Sequence, residues 1–201
     1  MRAAAGAKRV STRLESFIRR LEAQRRTLDW AARATSRIDG IVLELGLGNG
    51  RTYDHLLKRL AGAKPVHAFD RQLAAHPRCV PPKGLLHLGE FRVTLRKFAR
   101  DHPRRAALVH ADTGSGDARR TAALARWLGP VLAPLLAPGA LVVSDQALRI
   151  PGAVGVTLPR GVPHGRYFIY RNNATEPARV SPPVRRRKKR TQPSGMEGQR
   201  R

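Results

Sequence analysis

The chain has 201 residues, enough for one ordinary domain and too few for two. A hydrophobic fraction of 41% supports a core, and the single cysteine, Cys79, excludes an intrachain disulfide and a cysteine-built zinc site. The net charge of +25 is shared as +7 over residues 1–37, +11 over 38–173 and +7 over 174–201, which suits a polyanionic neighbour, while aromatics at 5% leave little for a base-stacking platform.

Residues 1–11 show no periodicity and are expected to be disordered. From Leu14 the apolar residues Leu14, Phe17, Ile18, Leu21 and Leu28 fall on one helical face, and Thr12 with Glu15 forms a T-x-x-E capping box. That predicts an N-terminal helix over 12–38, closed by Gly40. Ile41 to Leu45 is a strand, apolar except for Glu44, followed by a glycine turn and a helix from about Thr52 to Leu60. Pro65 to Phe69 reads as a second strand ending at Asp70, and Leu85 to Leu88 as a short third, followed by Gly89 and Glu90. No element is assigned from there to Ala106, where a fourth strand runs to His110 and ends at Asp112. Thr121 to Leu136 is helical, with Gly129, Pro130 and Pro134 expected to break or kink it. Ala140 to Ser144 is a fifth strand ending at Asp145, and Val154–Leu158 with Arg166–Tyr170 reads as a hairpin around Pro159–Gly165.

Strands alternating with helices predict an α/β fold, a Rossmann-like, doubly wound and mostly parallel sheet of about seven strands with an antiparallel C-terminal hairpin strand. The domain is expected over 12–173. Residues 174–201 hold four prolines and the run Arg185 to Arg190, RRRKKR, and read as a disordered basic tail capable of weak, nonspecific nucleic-acid contact. The nearest candidate for a membrane span, Leu128 to Val143, is cut by Pro130, Pro134, Pro138 and Gly139. Arg2, Lys8 and Arg9 have no apolar run behind them, so no secretory signal is expected. The expected setting is the cytoplasm, away from membranes.

The segment with chemical content is Glu44-Leu45-Gly46-Leu47-Gly48-Asn49-Gly50. A buried strand runs into three alternating glycines and then into a helix whose first N–H groups and positive dipole end favour an anion. A dinucleotide fingerprint needs G-x-G-x-x-G, and Arg51 stands where its third glycine belongs. Glu44 would repel a phosphate and would welcome an ammonium or sulfonium. Asp70, 20 residues beyond Gly50, sits where an acid takes ribose hydroxyls. These features fit S-adenosyl-L-methionine better than NAD(P), which stays open here as an oxidoreductase alternative. A third alternative is a non-catalytic module that keeps the fold as a basic scaffold.

VLELGLGNG with Asp70 resembles the first two motifs of the class I S-adenosylmethionine-dependent methyltransferases. GLGNGRTYDHL, FDR, HADTGSGD, LAPLLAPGALVVSDQ and LPRGVPHGRYFIYR together resemble one small bacterial family within that superfamily, over roughly residues 12–171. The resemblance implies that Glu44, Gly46, Gly48 and Gly50 line the methionine moiety, with Asn49, Thr52 and Tyr53 adding polar contacts. It implies Asp70 at the ribose with Arg71 beside it, Glu90 and Phe91 at the adenine, and Asp112 as a substrate-side or catalytic group. The bland readings stand beside these. Glu90 would serve equally as an exposed loop acid, Asp112 and Asp117 lie in a loop rich in turn residues, and Asp145 would serve as a strand-end cap. The histidines show no metal-ligand spacing, so no metal is expected. No motif names the methyl acceptor. With little chain left for a substrate domain, a small molecule is preferred to a macromolecule.

Overall fold

The computed structural model describes residues 12–174. The N-terminal segment and the basic tail of the sequence reading lie outside the described residues.

The first helix, α1 (Arg13–Ala34), begins with the expected box: Thr12 Oγ1 accepts from Glu15 N at 3.1 Å and Glu15 Oε2 accepts from Thr12 N at 2.8 Å. It is followed by β1 (Ile41–Leu45), α2 (Arg51–Leu60), β2 (Val66–Asp70), β3 (Leu86–Leu88), α3 (Phe91–Asp101), β4 (Ala106–Ala111), α4 (Ala118–Leu132), β5 (Leu136–Ser144), β6 (Ala153–Val156) and β7 (Phe168–Asn172). One seven-stranded sheet results, in the order β3-β2-β1-β4-β5-β7-β6. The five strands from β3 to β5 are parallel, and β7 pairs antiparallel with both β5 and β6. The hairpin therefore adds two strands, with its second strand inserted next to β5.

Two apolar layers flank the sheet. Leu43, Leu45, Phe69 and Val109 pack with Leu95 and Phe98 of α3 and Leu128 and Leu132 of α4. Val42, Ala68, Leu108 and Val143 pack with Ala23, Leu28 and Ala31 of α1 and Tyr53 and Leu56 of α2. Strands buried on both faces explain why the sequence shows near-continuous apolar runs instead of alternation.

The helix expected over Thr121 to Leu136 runs Ala118–Leu132 with Pro130 inside it, and the N-terminal helix ends at Ala34, short of 38; three further departures have a physical reason. Helix α3 occupies a stretch to which no element was assigned. Its signal was present, since Phe91, Leu95 and Phe98 stand at i, i+4 and i+7, and Leu95 and Phe98 are buried. The predicted apolar face of α1 is only partly buried: Leu28 is covered, whereas Leu14, Phe17, Ile18 and Leu21 are exposed. The helix outruns the sheet, and small residues, Ala23, Thr27 and Ala31, make its close approach. Strand β5 begins four residues earlier than expected. Pro138 and Gly139 fit within it because its register against β4 shifts between Ala106 and Leu108, a local irregularity that tolerates both residue types.

Candidate functional site

The strand order reverses between β1 and β4, and in open α/β sheets the crevice beyond such a pair receives the ligand. Gly46 leaves β1 and Asp112 leaves β4, and the two meet: Asp112 N donates to Leu45 O at 3.1 Å. Gly46 has φ 91°, and a Cβ there would overlap the Asp112 carbonyl, so only glycine lets the two chains pass. Gly48, with φ 50°, has open space where its side chain would be. The first is thus a packing glycine and the second a cradle that admits a ligand to the backbone. Gly50, with φ 83°, is the N-cap of α2 and packs against Cys79.

Asp70 ends β2 and faces the loop. Its Oδ2 accepts from Gly48 N at 2.9 Å and its Oδ1 from Arg71 N at 2.6 Å. Glu90 is the N-cap of α3 yet makes no side-chain cap bond, so its exposed carboxylate is not committed to the helix end. Gly46, Gly48, Asp70, Arg71, Glu90, Phe91 and Asp112 line one cavity of about 490 Å³. The rest of its wall is Arg92 of α3 with Thr113 to Ser115 and part of Arg120 to Leu124, from the loop after β4, which the sequence reading took as turn chemistry, and the start of α4. Its signal was the run HADTGSGD, which leaves a strand as a polar loop and ends in the N-cap of α4, Asp117.

Glu44, Thr52 and Tyr53 sit beneath the loop, outside that wall. Glu44 is fully buried; its Oε2 pairs with His110 Nδ1 at 2.8 Å, and its Oε1 accepts from Thr52 Oγ1. Glu44 thus ties the start of α2 and strand β4 to β1. His110, also fully buried, is pulled down by burial but raised overall, chiefly by Glu44 beside it. Tyr53 Oη, His110 Nε2 and Thr113 Oγ1 are shut from solvent with no hydrogen-bond partner among the described residues. Unpaired buried polar atoms are uncommon, and these three belong to α2, β4 and the loop after β4, the elements that frame the crevice. Asn49 lies exposed at the tip of the loop.

Asp112 is held from above by α1. Arg20 Nη2 reaches both carboxylate oxygens, at 2.8 and 2.9 Å, and Gln24 Nε2 adds a bond at 2.8 Å. Asp145, at the end of β5, accepts from Thr113 N at 3.1 Å and Gly114 N at 3.2 Å, so it organises the loop that walls the cavity. Burial pushes its carboxyl up, offset in part by the bonds from Gln146 and Thr113. Burial also pushes the Tyr167 phenol up, with Asp112 adding to it, which keeps that hydroxyl protonated beside the carboxylates. Arg20, Gln24 and Tyr167 were outside the sequence reading, which had weighed Asp145 as a strand-end cap and His110 only as a histidine without metal-ligand spacing. They are scattered over four elements, and only the fold brings them together. Among the described residues no group of His, Cys, Asp or Glu has the arrangement of a metal site.

The family described as S-adenosyl-L-methionine methyltransferase matches residues 11–172. An S-adenosyl-L-methionine methyltransferase from Silicibacter pomeroyi DSS-3 is 39% identical; the match covers 81% of this chain and 99% of that one, with a TM-score of 0.76. A Corynebacterium glutamicum protein, 15% identical over 83% of this chain and 93% of its own, has a TM-score of 0.53 and shares the fold. No curated protein matches. The chain belongs to the S-adenosyl-L-methionine methyltransferase family. It is an enzyme, its cofactor is S-adenosyl-L-methionine, and the oxidoreductase reading falls away. No described helix is long and apolar enough to cross a membrane.

The cavity fits that cofactor. Gly48 leaves an open cradle at a helix N-terminus, where a carboxylate is favoured. Asp70 presents a carboxylate to the same cavity, which Arg71, Arg92 and Arg120 also line.

Proposed function

We propose that the enzyme methylates a small-molecule acceptor seated beside Asp112, under the N-terminal half of α1. The observation that carries this reading is the convergence of Gly48, Asp70 and Asp112 on one cavity at the β1/β4 switch point, with Arg20 and Gln24 of α1 bonded to Asp112. Gly46, Gly48, Asn49 and Gly50 would hold the methionine part of the cofactor, Asp70 and Arg71 the ribose, and Glu90 and Phe91 the adenine. Glu44, Thr52 and Tyr53 support that site from beneath. When bound, the cofactor supplies a methyl group activated by its sulfonium.

The protein's own work is alignment and water exclusion, since a nucleophile held at the methyl reacts far faster than one that must find it. Asp112 is the group we assign to proton removal from an O–H or N–H acceptor. Arg20 and Gln24 make three hydrogen bonds to its oxygens, leaving one of the carboxylate's roughly four lone-pair sites for a proton. The domain boundaries proposed are 12–173 for the catalytic unit, with 1–11 and 174–201 as appendages. The proposed compartment is the cytoplasm, where the single thiol, Cys79, stays reduced.

The test is transfer of a tritiated methyl from cofactor to pools of small molecules, proteins and RNA, with the purified full chain. Label in the small-molecule pool supports the reading, and label confined to protein or RNA refutes its acceptor class. With the acceptor in hand, Asp112→Asn should slow single-turnover transfer by about 10²–10⁴-fold. A full rate would remove the base assignment.

A further inference from the structure

We infer that the α3–α4 face is a docking surface for the phosphate backbone of a nucleic acid, distinct from the acceptor question. Arg92, Arg96 and Arg100 stand at i, i+4 and i+8 on α3, all exposed, with Lys97 beside them. At 1.5 Å rise per residue they form a row about 12 Å long. α4 packs against the same side of the sheet and contributes Arg119, Arg120 and Arg126, also exposed. The two sets meet at Trp127: the Arg92 guanidinium lies 5.0 Å and that of Arg96 5.8 Å from its ring centroid. Stacking of that kind fixes the planar forks without using their N–H donors, leaving those donors for phosphate oxygens.

The opposite face, of α1 and α2, also carries exposed arginines outside any ion pair among the described residues, including Arg26, Arg33 and Arg51, but there several cations share acids. There Asp29 takes Arg59 at 2.6 Å, His55 at 3.1 Å and Arg25 at 3.7 Å, and Asp54 takes Lys58 at 2.9 Å. On the α3–α4 face the acid pairing is Arg120 with Asp117, at 3.4 Å. Among the described residues Arg92, Arg96, Lys97, Arg100, Arg119 and Arg126 have no carboxylate within ion-pair distance. Six exposed cations on two neighbouring helices repel one another, and a linear polyanion laid across them relieves that repulsion along its length. A single small anion would satisfy one or two of them. Among the exposed large apolar side chains Val93 lies on α3, whereas Leu14, Phe17, Ile18 and Leu21 cluster on the first turns of α1, and a single valine supplies little of the apolar insertion that a membrane surface would need.

The experiment is fluorescence anisotropy of the full chain with a short labelled RNA strand and, in parallel, a DNA duplex, each titrated over a range of salt. The variant Arg96→Gln/Arg100→Gln/Arg126→Gln touches no cavity residue and should bind S-adenosyl-L-methionine as the parent does. Losing three phosphate contacts should lower the slope of log K against log salt by about 2–3, at roughly 0.7–0.9 per contact, with a loss of tenfold or more in affinity. A second variant, with Arg185, Arg186, Arg187, Lys188, Lys189 and Arg190 all replaced by Gln, isolates the tail. It should leave the slope change caused by the α3–α4 substitutions intact. Should the triple variant fail to bind cofactor, Arg100→Gln/Arg126→Gln reads the same face with a slope change of about 1.4–1.8. The inference is overturned if the face variants bind both nucleic acids like the parent, or if the parent binds neither. The readout involves no methyl transfer, so it fails or holds separately from the acceptor assignment.

Discussion

Removing His110 should expose how much the crevice depends on its buried charges. Glu44 and His110 both have side chains with 0% exposure, and they meet at 2.8 Å. His110→Leu leaves Glu44 buried with one neutral partner, Thr52. Stranding one member of a buried pair costs about 3–5 kcal/mol. At roughly 2–4 °C per kcal/mol for a chain of this length, Tm should fall by about 6–20 °C. The double variant Glu44→Met/His110→Leu removes both charges at similar volume and should recover most of that loss, because replacing a whole buried pair by apolar residues is close to neutral. Thermal unfolding followed by circular dichroism, with denaturant midpoints as a check, gives the full cycle. If the single variant costs less than about 1 kcal/mol, or the double is as damaged as the single, then the pair does not act as a pair and the reasoning about what holds the glycine loop is wrong.

Three further outcomes follow from the same geometry. Asp70→Ala should weaken S-adenosyl-L-methionine binding by about 10- to 100-fold by calorimetry, the effect of charge-assisted bonds worth about 1.5–3 kcal/mol, and an unchanged affinity would remove the ribose assignment. Gly46→Ala should abolish cofactor binding while Gly48→Ala weakens it less, because a Cβ at Gly46 meets the Asp112 carbonyl and one at Gly48 meets nothing in the protein; equal effects would argue against separate roles. Stability should depend on pH through two histidines of opposite sign. His67, in a cluster with His87 and His102, is lowered to about 4 by burial and by those neighbours. With an ordinary value near 6.5, its unfolded form gains a proton first, so stability is lost as pH falls from about 6.5 toward 4. His110 is raised, so its contribution is full below about 6.5 and is lost as pH rises through its folded value. His67→Phe should flatten the acid limb of a Tm–pH profile and leave the alkaline limb; loss of both limbs in one variant would contradict the assignment.

What the sequence determined by itself was local and periodic. Thr12 and Glu15 close their capping box through atoms three residues apart, Ile41–Leu45 is a strand at the expected bounds, and Gly46, Gly48 and Gly50 force a turn because their backbone demands φ values that side chains resist. Chain spacing also placed Asp70 at the end of a parallel neighbour of β1, which is why the cofactor was legible before any coordinates. The tertiary structure decided everything that depends on packing across elements. It paired the buried Glu44 with His110, and it left the first turns of an amphipathic helix, α1, exposed. It also brought Arg20 and Gln24 onto Asp112 across 92 and 88 residues of sequence. No spacing rule encodes such contacts, since they exist only after the sheet has brought strand ends together and a helix has crossed above them.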